Sequence, residues 1–94
     1  MALKTLRFDA AEHIATPEDQ ADLLTDALES GDATYIANAL GVIARARGMA
    51  QVARDAGVSR EGLYKALSGE GDPRLTTLLG VTKALGIRLV AQPA

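Results

Sequence analysis

The sequence predicts an all-α fold, and three observations carry that expectation. Hydrophobic residues make up 48% of the chain but aromatic residues only 3%, so a core must be built from Ala, Leu, Ile and Val, which pack readily between helices. Start and stop signals alternate: Thr16-Pro17, Asp32, Ser59 and Asp72-Pro73 open segments, and Gly31, Gly48, Gly57 and Gly86 close them. Between those marks the apolar residues recur at helical spacing. A length of 94 residues suits one small domain with appendages and no separate catalytic lobe.

The elements follow in order. In residues 4–8, Lys4, Leu6 and Phe8 alternate with Thr5 and Arg7, a weak strand signal, and a helical turn is expected from Asp9 to Ile14. Thr16 then caps a helix over Pro17 to about Ser30, with Pro17 at its first position, Glu18 and Asp19 at the positive end of its dipole, and Leu24 and Leu28 facing inward. Asp32 caps a second helix carrying Ile36, Leu40 and Ile43 and ending at Gly48, with Arg45 and Arg47 in the last turn, where the helix dipole favours cations. A short helix, about Met49 to Ala56, is closed by Gly57, and Ser59 caps another from about Arg60 to Ser68. After the loop GEGDP, Asp72 as cap and Pro73 as first residue are expected to open a last helix with Leu75, Leu78, Leu79 and Leu85. The tail alternates Ile87 and Leu89 with Arg88 and Val90, which predicts one short C-terminal strand. Such a strand needs a partner for its backbone, either the N-terminal strand or the same strand of a second subunit.

The formal net charge is -2, but it is unevenly divided. Residues 1–40 hold two basic residues against eight acidic ones, a net of -6, and residues 41–94 hold eight against four, a net of +4. Two surfaces with two kinds of partner are the expectation. The chain has no cysteine, so it offers no disulfide framework, thiolate metal site or thiol nucleophile, which suits a cytoplasmic protein. No apolar run approaches the ~20 residues that cross a bilayer, and no signal-peptide core appears. His13, the single histidine, has no companion ligands, Ser59 and Ser68 have no recognisable triad partners, and no phosphate-binding glycine loop is present. Neither enzymatic activity nor a metal or other cofactor is expected.

The most specific stretch is QVARDAGVSREGLYKALSGEGDP. A helix-turn-helix needs small or apolar residues where its helices touch, a glycine between them and polar residues on the outer face of the second helix. Ala53 permits close approach, Gly57 makes the turn, and Val58, Leu63 and Leu67 face inward, leaving Arg60, Glu61, Gly62, Tyr64 and Lys65 outside. Arginine can place its fork on guanine and glutamate can accept from cytosine, while Lys65 suits phosphate or guanine. The phenol of Tyr64 can bond phosphate or stack on a sugar. Gly62 would let the helix backbone come close to the groove. With Gln51 and Ser59, these residues form the candidate DNA-binding set.

From Asp32 to Leu89 the chain resembles the five-helix lambda-repressor-like (XRE-type) helix-turn-helix domain. Over about residues 8–90, through FDAAEHI, TPEDQADLLTDALESGD, ANALGVIARARGMAQVARDAGVSREGLYKALSGEGDP and TLLGVTKALGIRL, it is similar to small addiction-module antidote proteins encoded beside RelE/ParE-superfamily toxins. The resemblance implies an antitoxin that neutralises its toxin by direct binding and represses their operon as a homodimer on operator DNA. Many domains of this type open the first helix of the pair with Gln-x-x-hydrophobic-Ala, whereas here Gln51 directly precedes Val52-Ala53. Either that helix is two residues shorter or Gln51 is not the usual phosphate contact. Asp19, Asp22, Asp26 and Glu29 lie along one side of the first long helix. Such a stripe is commonly a solvated face, but the resemblance makes it the candidate toxin contact, because a toxin acting on RNA carries a basic surface that acids can occlude.

The expected division is an acidic N-terminal segment at residues 1–31, contacting the toxin, and a helix-turn-helix domain with its C-terminal strand at residues 32–94. A stand-alone, prophage-type transcriptional regulator without a toxin is the second reading. An interaction module whose helix pair no longer binds DNA is the third.

Overall fold

The computed structural model of the chain describes residues 16–68 and 72–94. Five helices occur among them: α1 (Pro17–Ser30), α2 (Ala33–Arg47), α3 (Met49–Ala56), α4 (Arg60–Ala66) and α5 (Leu75–Ala84). The strand expected at residues 4–8, the helical turn at 9–14 and His13 lie outside the described residues.

Local hydrogen bonds set the boundaries of the first four helices. Thr16 Oγ1 accepts from the Asp19 amide at 3.1 Å, and Asp32 Oδ1 accepts from the Thr34 amide at 2.9 Å, satisfying donors that a helix start leaves without partners. The α1–α2 turn is tied by Ser30, whose hydroxyl donates to the Ala27 carbonyl and accepts from the Asp32 amide. α4 stops at Ala66 rather than Ser68, and the Ser68 hydroxyl donates to the Lys65 carbonyl at 3.0 Å.

Leu24, Leu40, Ile43, Met49, Val52, Leu63, Leu67, Val81 and Leu85, with Ala44 and Ala53, form one core. α1 packs on α2, α4 on α3, and α5 on α3. The many small residues let helices approach to backbone contact. A Cβ on buried Gly41 of α2 would stand 3.0 Å from the Leu67 carbonyl oxygen, and one on Gly80 of α5 would stand 3.2 Å from that of Ala56. On α1 the buried stripe is Gln20, Leu24 and Ala27. Leu28, expected inside, is 39% exposed, because it is turned roughly 100° from Ala27 around the axis.

Arg47 ties the outermost elements together. Its Nε donates to Gln20 Oε1 of α1 at 2.9 Å, and an Nη donates to the Leu85 carbonyl at the end of α5 at 2.8 Å. Gln20 is 1% exposed, so this contact helps supply a polar group that burial would otherwise penalise.

Two expectations near the C-terminus are corrected. α5 does not begin with Asp72 as cap and Pro73 as first residue: its N-cap position is Arg74, without a side-chain cap bond, and its first helical residue is Leu75. Pro73 is half-buried and lines a small hollow with Ala33, Ile36 and Leu78, and Arg74 after it is still extended (φ -67, ψ 152), so the helix starts only at Leu75. The second correction concerns the tail. No strand forms among the described residues; residues 87–94 are irregular. The Gly86 amide donates to the Lys83 carbonyl and the Ile87 amide to that of Thr82, a left-handed closure of α5 that turns the tail onto α1. Half-buried Ile87 and Leu89 alternate with exposed Arg88 and Val90, so the two-residue period is present. What is missing is a neighbouring strand, since α1 offers no backbone to pair with.

Candidate nucleic-acid and partner interfaces

Gly57 sits at φ 77, a conformation that favours glycine, and it closes α3 with a double bond pattern. The Gly57 amide donates to Arg54 and the Val58 amide to Ala53 at 3.0 Å, which reverses the chain and starts α4 at a defined angle. Ser59 then caps α4, its hydroxyl accepting from the Gly62 amide at 2.9 Å. Leu63, fully buried, and Leu67, 4% exposed, anchor the helix from below. Their spacing dictates the outer face: Arg60, Glu61, Gly62, Tyr64 and Lys65 are all exposed.

The structure thus brings six of the seven candidate DNA-binding residues, from Ser59 to Lys65, onto one short helix and its cap. The guanidinium of Arg60 lies over the Tyr64 ring, 5.7 Å from its centroid. At an exposed site such a contact is worth about 0.5–1 kcal/mol, enough to bias a long side chain toward one orientation. Gly62 has a local role as well, because a Cβ there would meet Ser59 Oγ at 3.0 Å. Gln51 is the third residue of α3 and is exposed, but both ends of its amide are engaged. Its Nε2 donates to Asp55 Oδ1 at 2.9 Å, and its Oε1 accepts from an Arg54 Nη at 2.9 Å. The second Nε2 hydrogen is not used in these bonds, so they orient the Gln51 amide and leave it one donor for a phosphate. Both arrangements have a signal in the sequence, the three- and four-residue spacing of 51, 54 and 55 and of 60 and 64.

Asp19, Asp22, Asp26 and Glu29 are all exposed on α1, a different element. They are not equivalent. Asp26 accepts a hydrogen bond from the Tyr35 hydroxyl on α2. That bond, with some burial and the nearby negative charge, holds the Tyr35 phenol above its ordinary range. The carboxylates of Asp19, Asp22 and Glu29 have no ion-pair partner among the described residues.

Beside them, α1 and the tail bound a groove of about 560 Å³. Leu24, Leu28, Leu89, Val90 and Pro93 give it apolar walls, with Glu29 and Arg88 as its charged members. Sequence reasoning missed this groove, because it arises only where the tail turns back onto α1. Among the described residues no helix is long and apolar enough to cross a membrane.

Comparison with known proteins places the chain beside a family and a relative. The family described as probable addiction module antidote protein matches residues 4–93. An uncharacterised protein of Haemophilus influenzae is 51% identical over 85 residues, covering 90% of this chain and 88% of that relative. No solved structure matches the chain.

Proposed function

The chain belongs to the probable addiction module antidote family, and on that premise we propose that it is the antitoxin of a type II toxin–antitoxin pair. It neutralises its toxin by direct binding and represses their shared operon through an XRE-type helix-turn-helix formed by α3 and α4. The observation that carries this reading is the separation of two chemically opposite exposed surfaces: Arg60, Tyr64 and Lys65 on α4, and Asp19, Asp22, Asp26 and Glu29 on α1.

On DNA, Arg60 reads guanine, Lys65 and Tyr64 hold phosphate or sugar, and Glu61 accepts from cytosine. The toxin is a basic protein of the RelE/ParE superfamily, met by the acidic segment at residues 1–31. A homodimer sets two α4 helices about 34 Å apart on a palindromic operator. Its interface is supported by α5, where Leu75 is 68% and Leu79 50% exposed one turn apart, an apolar face that a second copy would cover. Both activities belong in the cytoplasm.

Titrating the DNA upstream of its own gene tests the DNA-binding half. Affinity should fall steeply as salt rises, because phosphate contacts release counterions. No shift at low salt would remove the repressor role. Co-purification with the product of the adjacent reading frame tests the other half, and the lack of a toxin frame there would favour the stand-alone regulator.

A further inference from the structure

The groove between α1 and the C-terminal tail has an unusual pairing of properties. Its wall includes Leu28 and Val90, exposed by 39% and 69%, above more deeply placed Leu24 and Leu89. Its helix is loaded with charge that acts against its own stability. Asp19 and Asp22, Asp22 and Asp26, and Asp26 and Glu29 are like-charged neighbours at three- and four-residue spacing. Glu29 stands at the negative end of the helix dipole, in a last turn with no basic residue. Among the described residues no cation pairs with Asp19, Asp22 or Glu29. The tail contributes a third property. From Arg88 to Ala94 no backbone group is hydrogen-bonded to a described residue, which leaves donors and acceptors along one rim.

We propose that this groove is the toxin-docking site, and that its occupant is an extended segment of the toxin carrying apolar side chains flanked by Lys or Arg. The inference rests on the antitoxin reading above and deepens it. Apolar side chains of the segment enter between Leu28 and Val90, its cations meet the carboxylates of α1, and its backbone pairs with the tail. Charge complementarity selects this occupant. Glu29 lines the groove and Asp22, two turns before it, lies on the same side of α1, so the α1 rim disfavours a nucleic acid and favours a basic segment. A second copy, which could set Glu29 against Arg88, is separated by the oligomeric-state arm of the test.

The test uses the full chain and the purified product of the adjacent reading frame, with binding measured by calorimetry. The double variant Leu28→Lys/Val90→Lys places cations where the segment's apolar groups and cations enter. It should weaken binding at least about 30-fold, the loss of one strong interface anchor. Glu29→Lys, an exposed change that leaves the apolar walls intact, should weaken it roughly 10-fold at low salt, with the effect shrinking as salt rises. Both variants should stay folded by circular dichroism, Glu29→Lys melting at or slightly above wild type because it removes repulsion at the end of α1, and both should keep the wild-type shift of upstream DNA. If the folded variants bind within about 3-fold of wild type, the groove is not the docking site and neutralisation occurs elsewhere. If they change only the oligomeric state, the groove belongs to a second copy and the proposal falls. If wild type itself does not bind the neighbouring protein, the antitoxin reading fails, and the groove assignment fails with it.

Discussion

Arg47→Met should be strongly destabilising for a substitution at an exposed residue. Methionine keeps most of the side-chain stem and removes the guanidinium, so the loss is confined to the two bonds to Gln20 Oε1 and the Leu85 carbonyl. A hydrogen bond from a charged donor contributes about 1.5–3 kcal/mol, and a buried acceptor deprived of its donor costs about 1–3. Arg47 itself is exposed, so solvent competes for its donors and the lower half of each range applies. The Gln20 amide at 1% exposure takes the larger share of the penalty, moderated by a further interaction of that residue. One such bond at the lower half of its range together with the Gln20 penalty gives a destabilisation of at least about 2–4 kcal/mol, against a total of roughly 5–14 kcal/mol for a domain of this size. Urea unfolding followed by circular dichroism should show the loss directly, and the melting temperature should fall by roughly 10–25 °C. A double-mutant cycle with Gln20→Leu should return a coupling of about 1 kcal/mol or more. If Arg47→Met costs under about 0.5 kcal/mol, the tie contributes nothing and the argument for it is wrong.

Other positions give independent checks. Gly41→Ala gains about 1 kcal/mol of helix propensity but drives a methyl to 3.0 Å from the Leu67 carbonyl, an overpacking worth about 1–3 kcal/mol, so a net loss of up to about 2 kcal/mol is expected in thermal or urea melts. Gly62→Ala meets only the Ser59 hydroxyl, where a weakened cap and a better helix former roughly cancel. Its stability should stay within about 0.5 kcal/mol of wild type, and an accompanying drop in gel-shift affinity would assign Gly62 to close approach on DNA. Arg60→Ala should weaken operator binding by about 1–3 kcal/mol if it reads guanine; an unchanged affinity in a folded variant removes it from that role. Leu79→Lys should shift the protein toward monomer in sedimentation and weaken palindrome binding more than half-site binding, while persistence of the dimer would discard α5 as the interface.

Much of the fold was legible because its punctuation is local. Thr16, Asp32 and Ser59 each accept the amide that cap chemistry leads one to expect, within three residues of sequence. Asp72-Pro73 has the same local signal and a different outcome: Arg74 is still extended and takes the N-cap position, beside a hollow that Pro73 lines together with Ala33 and Ile36 of α2, a placement no local rule contains. The tail keeps its alternation but lacks a neighbour to make it a strand. Arg47 shows the same limit at a single residue. A last-turn arginine suggests a dipole contact, whereas its bonds reach 27 and 38 residues along the chain. On the candidate DNA face, Leu63 and Leu67 determine which side of α4 is outside, so its exposed residues follow from spacing alone. The engagement of Gln51 by Arg54 and Asp55 required side-chain geometry.

The same geometry answers how a chain of net charge -2 could hold DNA. Charges separated by more than about 8 Å are largely screened at physiological ionic strength, so phosphate responds to the residues facing it rather than to the total. α1 carries the acids and packs on α2, while α4 packs on α3, so the two charge sets are mounted on different supports around one core. Net charge therefore constrains encounter at low salt more than grip at high salt. The core also explains why the acidic helix is retained despite its self-repulsion. Leu24 belongs to the same cluster as Leu63 and Leu67, and Gln20 is bonded to Arg47, so α1 is a structural wall of the domain as well as a charged surface. A change on its outer face can alter partner binding without disturbing α4, whereas a change at Gln20 or Leu24 would disturb both.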